Sequence, residues 1–437
     1  MTTQPRRGAH PQLVRALGRW SMVALAINSI LGSGVFGLPS VVAGLLGGAS
    51  PRAVLLAGAA MTVIIACYAE VASQFEETGG TYLYLRHAFG RLIGLQVGWM
   101  SLLSRLTACA AALNLLVAYL AEFWPAATRP LPRLLVIVGF LGTLTAANYR
   151  GAGSGARVSN VSVIAKLAVL AVVCVAGVVW LGTHPQVPVA PVAAGLDSWL
   201  KAMLLLLFAY GGYEAALNPM GEAKNPRRDV AFALFIAIAV LTVIYTLLQL
   251  IVVGALPAAA ASTRPLADVA RVLLGPGGAL FIAVGALVSV YGYLSANMLT
   301  VPRNLYALAE RGDFPRVLAA VHPRFHTPYV SIVVYAVLLW AFAQFASFSW
   351  NVTLSAVARV LFYGAICAAV PVLRRRQPGA AAWRLPGGAL LPVTGVLICA
   401  ALLAAVDFGE SAILLATIGA AFLNWLLVRK RSTAGAG

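Results

Sequence analysis

The sequence predicts an all-α membrane protein of about twelve transmembrane helices, and three observations predict it. Hydrophobic residues make up 61% of the 437 positions and charged residues only 10%, against about 45–50% and about 25% in a soluble globular chain. The excess recurs as separate apolar stretches from Trp20 almost to the C-terminus, and roughly 18 apolar residues suffice to cross the hydrocarbon core as a helix. Basic residues are dense in every second loop and sparse between, the charge pattern that sets membrane orientation.

The stretches lie at residues 21–46, 53–74, 92–123, 134–148, 158–181, 199–220, 231–256, 280–310, 329–345, 352–373, 390–406 and 411–428. Too little chain remains between them for a soluble domain. One membrane domain, residues 20–428, therefore lies between an N-terminal segment (1–19) and a tail (429–437). An even number of spans puts both termini on one side. Of the 31 lysines and arginines, 22 fall in loops of that side, and only Arg52, Arg129, Arg133, Arg264 and Arg271 fall opposite. The bias places both termini in the cytoplasm. The net charge of +18 then reads as a topology signal and not as a nucleic-acid surface, since basic and aromatic residues are not interleaved. Cys67, Cys109, Cys174, Cys367 and Cys399 all fall in apolar runs without metal-ligand spacing and read as small core residues. No cleavable leader is expected, because the first apolar run is too long for one.

Two spans are interrupted in matching ways. The first holds Gly32-Ser33-Gly34, then Gly37 and Pro39; the sixth holds Gly211-Gly212, then Pro219 and Gly221. Glycine also serves close helix packing in membranes, but the pairing of the clusters five spans apart favours a structural repeat. An odd offset makes the second copy enter from the opposite side. The expectation is a five-plus-five inverted repeat with broken first and sixth helices: repeat one about 20–182, repeat two about 198–373, and two extra C-terminal helices at about 388–428.

At such a break the backbone leaves helical geometry and frees polar groups. Amide N–H groups opening the second half-helix suit a carboxylate, and Ser33 adds a hydroxyl. Carbonyls ending the first half, around Ile30, and those around Phe208, Ala209 and Gly211 suit an ammonium. An anion site beside a cation site fits the backbone of an α-amino acid. Lys166 lies in the middle of the fifth span, where a charge costs at least about 2.5 kcal/mol; the competing reading is a lysine that snorkels to the interface. Glu214 is also deep and has three open readings: pairing with a cation, stabilising the break, or carrying a proton. Arg105 and Arg359, likewise within apolar spans, read as structural, pairing with carbonyls or lining a water-filled route. Residues 222–228 read as a solvated loop. Neither a phosphate loop nor a metal constellation is present in the sequence, so no enzyme activity, cofactor or metal is expected, and any solute movement must be driven by gradients or exchange.

Several segments carry a resemblance. ILGSGVFGLP (30–39) resembles the first-helix motif of the amino acid–polyamine–organocation (APC) superfamily, and FAYGGYE (208–214) its sixth-helix motif. EAKNPRR (222–228) is similar to the loop that follows, and two further matches run from Tyr68 to Tyr84 and from Arg303 to Pro315. The resemblance implies a secondary amino acid transporter in a bilayer, in a bacterial cytoplasmic (inner) membrane, working by alternating access. The first and sixth helices would rock against the third, fourth, eighth and ninth. It implies that the carbonyls of Ile30, Phe208 and Gly211 take the amino group, that Gly32, Ser33 and Gly34 form the carboxylate site, and that Phe208 gates the substrate. It implies that Lys166 stands where sodium-coupled relatives bind a cation, so that transport is sodium-independent, with protons or a counter-substrate as driving force. FAYGG most resembles exchangers of neutral amino acids. Ala209 and Gly211 would leave volume for a neutral side chain, with Glu214 as the single deep acid. Polyamine, organic-cation or basic amino acid carriage is the alternative within the fold; a channel or a sensor is the alternative outside it.

Overall fold

The computed structural model describes residues 18–75, 80–151, 155–184, 192–217 and 226–434. Most of the N-terminal segment, Pro219 and Gly221 of the sixth span, residues 222–225 of the following loop, and the chain end lie outside the described residues.

The apolar stretches are helical because the hydrocarbon core offers no other partners for backbone polar groups. The first span is two helices, α1 (Arg19–Ile30) and α2 (Gly34–Leu46), separated by three residues. Then come α3 (Ser50–Ala72), α4 (Gly80–Phe89), α5 (Arg91–Leu120), α6 (Pro130–Tyr149) and α7 (Gly155–Thr183). The sixth span is again split, into α8 (Leu196–Tyr210) and α9 (Tyr213–Ala216). It is followed by α10 (Pro226–Ala255), α11 (Pro265–Glu310), α12 (Tyr329–Phe345), α13 (Phe348–Arg376), α14 (Leu390–Leu403) and α15 (Phe408–Ala434). With each broken pair taken as one span, and the ten-residue α4 left out as too short to cross, the described helices make twelve spans.

Three local expectations need correction. Helix α4 was not foreseen: its stretch is too short and polar to read as a span, yet it packs along α5. The eighth span, expected from residue 280, is preceded by a helical segment that was not foreseen. Helix α11 begins at Pro265 and turns at Gly275, whose φ of 77° lies in the left-handed region, just before Pro276. Pro226 and the two arginines after it are not loop but the first turn of α10, since proline suits the first helical position.

Helix pairing carries the inverted repeat. Match each span of the first five with the span five later. The packing of α5 on α13 then becomes that of α11 on α7, α1 on α10 becomes α8 on α3, and α2 on α8 becomes α9 on α1; each predicted partner contact is present. The pairs α3 with α10 and α6 with α12 map onto themselves and are also present. The broken spans lie inside this frame. Close approach of α7 and α11, which sets the depth of Lys166, depends on Gly292: a Cβ there would overlap Ser162 Oγ. At one end of the frame, fully buried Glu70 on α3 holds Arg374 of α13 through two bonds of 2.6 Å and accepts from Leu385 N at 2.8 Å. Such a bidentate charged pair fixes orientation as well as distance, and ties the connection after α13 to the core.

Candidate functional site

Both breaks open onto one central cavity of about 310 Å³, lined by α1, α2, α5, α7, α8, α11 and α13 together with Gly211, Gly212 and Glu214. All nine residues singled out from the sequence, Ile30, Gly32, Ser33, Gly34, Lys166, Phe208, Ala209, Gly211 and Glu214, line it.

At the first break the chain ends α1 with Leu31 N donating to Ile27 O at 2.9 Å, then turns tightly with Gly32 N on Ile30 O at 2.7 Å. Of the N–H groups opening α2, Phe36 N turns back to Ser33 O at 3.2 Å; those before it have no acceptor within the helix, as at any helix start. Ser33 Oγ is buried against the cavity without a hydrogen-bond partner among the described residues. An unsatisfied buried hydroxyl costs about 1–3 kcal/mol, a cost that a bound acceptor removes. Gly34 sits where α2 meets α8: a Cβ would lie 3.2 Å from Ala209 Cα and 3.3 Å from the Phe208 ring. The carbonyl side of the same break is held by Lys166, whose Nζ donates to Asn28 O at 2.9 Å and Leu31 O at 2.8 Å. Lys166 is only 8% exposed, so it does not snorkel to the interface. Its ammonium lies between the freed carbonyls, neutralising the negative end of α1.

The second break is held differently. Gly212 has a φ of 109°, and a Cβ there would strike the Ser29 carbonyl oxygen; glycine is required on both counts. Gly212 N donates to Glu214 Oε2 at 2.9 Å, and Tyr363 OH donates to the same oxygen at 3.3 Å. Glu214 thus caps its own break from within. Its other oxygen faces Arg359 Nη1 at 3.8 Å. Behind it Tyr68, Tyr213 and Tyr363 pack on one another, with ring centroids 5.1–5.7 Å apart. The freed carbonyls expected here are partly engaged: Phe208 O accepts from Gly211 N at 3.1 Å and Ala209 O from Tyr245 OH at 3.2 Å. Each keeps one lone pair.

Arg359, expected to pair with carbonyls or to line a water-filled route, lies against the cavity. Nε donates to Ser104 Oγ at 2.9 Å, and the guanidinium carbon sits 5.5 Å from the centre of the Phe208 ring. It also fills the room that a side chain at Gly211 would need, since a Cβ there would overlap Nη1. The volume expected beside Gly211 is therefore occupied. Arg105 lines the cavity too, and with Glu214 it also lines a second space of about 330 Å³ that runs toward Tyr82 and Arg311. The usable signal in the sequence was that these two arginines interrupt otherwise apolar spans; nothing in it said that α5 and α13 would bring them together.

The opposite end of the cavity is packed shut. A Cβ on Gly37 would come within 2.5 Å of the Phe348 ring, and Tyr119 OH and Gln249 Nε2 donate to the carbonyls of Phe36 and Pro39 at 2.9 and 3.0 Å. The cavity is thus closed beyond α2 and extended toward the ends of α4 and α11.

A split pair of helices in an inverted repeat, meeting at a polar cavity, is the architecture of a secondary transporter, and comparison with known proteins agrees. A family profile described as amino acid permease matches residues 17–422. The chain is 26% identical over 442 residues to the branched-chain amino acid permease BcaP of Bacillus subtilis, covering 95% of this chain and 91% of that one. It is 28% identical over 392 residues to the serine/threonine exchanger SteT of the same organism, covering 88% and 89%, and 27% identical over 406 residues to its methylthioribose transporter, covering 89% and 87%. With most of its length matched and both broken helices in place, the chain belongs to the amino acid permease family of the APC superfamily: it is a multi-pass membrane transport protein and not an enzyme.

Proposed function

We propose that the protein carries amino acids across the cytoplasmic membrane by alternating access, without sodium. One observation carries this reading. A single cavity holds the start of α2, with Ser33 Oγ unpaired among the described residues, while the ammonium of Lys166 occupies the carbonyls on the other side of the same break. A substrate carboxylate fits the donors. Its amino group fits the remaining lone pairs of Ile30, Phe208 and Gly211. A sodium ion at the Asn28 and Leu31 carbonyls would have to displace a buried ammonium. The driving force is then a proton gradient or exchange. The basic loops support termini in the cytoplasm, with 20–182 and 198–373 as the two repeats and 388–428 as added helices. The cavity, closed beyond α2 and extended toward the basic-loop side, corresponds to an inward-facing state.

Cationic substrates are disfavoured. Lys166, Arg105 and Arg359 face the cavity against the single carboxylate of Glu214, which is already engaged. Polyamines, organic cations and basic side chains would add buried positive charge without a partner. The reading kept is a zwitterion whose side chain is not cationic, the neutral amino acids expected from the sequence being within that class. The names of BcaP and SteT support amino acids. A methylthioribose-like solute would leave the helix-start donors without a carboxylate.

The test is uptake of labelled amino acids by purified protein in liposomes, with sodium replaced by choline and with an imposed proton gradient or internal substrate. Saturable, stereoselective uptake unchanged in choline is expected. Uptake that rises steeply with sodium would reject the role given to Lys166, and conduction without saturation would make the protein a channel.

A further inference from the structure

Two arginines, Arg105 and Arg359, border the central cavity. Arg359 is 6% exposed, and its Nη1 has no hydrogen-bond partner among the described residues although the side chain borders the cavity. Its nearest charge, Glu214 Oε1, lies at 3.8 Å, beyond hydrogen-bond range. The other Glu214 oxygen is already taken by Gly212 N and Tyr363 OH. Arg105, half-buried one position after Ser104, lines the same cavity and makes no hydrogen bond or ion pair with a described residue. Arg359 is thus held in a long buried ion pair with Glu214, while Arg105 borders the same cavity with no counter-ion among the described residues. Positioning of the pair is not loose. Arg359 Nε is fixed on Ser104 Oγ at 2.9 Å, Ser104 Oγ lies 3.1 Å from Ser355 Oγ, and Ser355 Oγ donates to Ser104 O at 2.7 Å. These bonds lock α5 to α13 and leave the free edge of the guanidinium toward the cavity.

We infer that these two arginines bind a second carboxylate, carried on the substrate's side chain, so that the transported class is dicarboxylic amino acids. The inference rests on the transport reading above and narrows its substrate. A guanidinium fork matches a carboxylate with two parallel bonds. It offers only donors, so a hydrocarbon side chain here would leave Nη1 unpaired, a cost to which sites built for a polar group owe their selectivity. The reach is suitable. A Cβ on Gly34, at the start of α2, would lie 3.3 Å from the edge of the Phe208 ring, and the Arg359 guanidinium carbon lies 5.5 Å from the centre of the same ring, so the two anion positions flank one aromatic side chain. A neutral zwitterion fills only the first of them.

Competition against labelled uptake by purified protein in liposomes tests this, with aspartate, glutamate, their amides and leucine as competitors. The acids should compete at least tenfold better than asparagine, glutamine or leucine. Arg105→Gln, which breaks no hydrogen bond or ion pair with a described residue, should reduce that ratio at least tenfold while leaving thermal stability of the purified protein unchanged; Arg359→Lys should reduce it as well. Amides or leucine competing as well as the acids would overturn the inference and leave amino acid transport standing, and so would a ratio undisturbed in Arg105→Gln. Absence of saturable uptake for every amino acid would overturn the transport reading itself, and this inference with it.

Discussion

The two breaks come from similar glycine-rich segments, yet the molecule completes them in opposite ways. At the first, the carbonyl side is satisfied by a cation brought from another helix, Lys166 of α7, while the donor side is left open with Ser33 Oγ unpaired. At the second, the donor side is satisfied from within by the carboxylate of Glu214, two residues beyond Gly212, and steadied by Tyr363 of α13. Sequence similarity between the breaks therefore does not mean shared work. One keeps its donor side open to the cavity while a remote charge holds its carbonyl side. The other is a capped hinge whose glycine lies against the first break, beside the Ser29 carbonyl. The difference follows from where charges can be afforded in a membrane: each lies where broken backbone gives it partners.

This contrast can be broken at the hinge with the largest effect. Gly212→Val removes the left-handed backbone and drives a side chain into Ser29 O. The loss should be on the order of 3 kcal/mol, read as a lowered melting temperature of the purified protein and little folded material. A normally stable Gly212→Val protein would mean that the second break is not a fixed hinge.

Removing the remote charge at the first break comes next. Lys166→Met should orphan the Asn28 and Leu31 carbonyls, at about 1–3 kcal/mol for each buried acceptor, and uptake should fall at least tenfold. Loss of uptake with retained substrate binding, followed by substrate-induced thermal shift, would separate a role in movement from one in binding. Uptake at the normal rate would sever Lys166 from the mechanism.

The smallest effect belongs to the open donor side. Ser33→Ala should weaken substrate binding by about 1 kcal/mol, the size of one hydrogen bond, or roughly fivefold in apparent affinity, without altering stability. The bulkier Ser33→Leu should block uptake while the protein stays folded. Normal affinity in a folded Ser33→Leu protein would remove the first break from the carboxylate site.

Span positions were readable because hydrocarbon imposes one demand, apolar side chains over a helix of sufficient length, that is written residue by residue. The expected 329–345 and the observed α12 share both ends, and most other spans agree to within a turn. Helix α4 and the segment of α11 before Gly275 escaped because neither is long enough to obey that demand; both are fixed by packing on neighbours. Within the site, the Gly32-Ser33-Gly34 and Gly211-Gly212 clusters were legible, since departure from helical geometry needs glycine locally. The space beside Gly211 was misjudged, because a missing side chain says nothing about which residue from elsewhere fills the gap.

By itself, then, the sequence determined the number and order of the spans, the orientation bias, the two breaks and the presence of deep charges at 105, 166, 214 and 359, all properties of local composition and spacing. Only the tertiary structure decided what those charges face. Lys166 lies 138 positions from the Asn28 carbonyl it holds, and Arg359 lies 255 from Ser104. Partnerships over such separations arise from helix packing, which no local pattern of residues encodes.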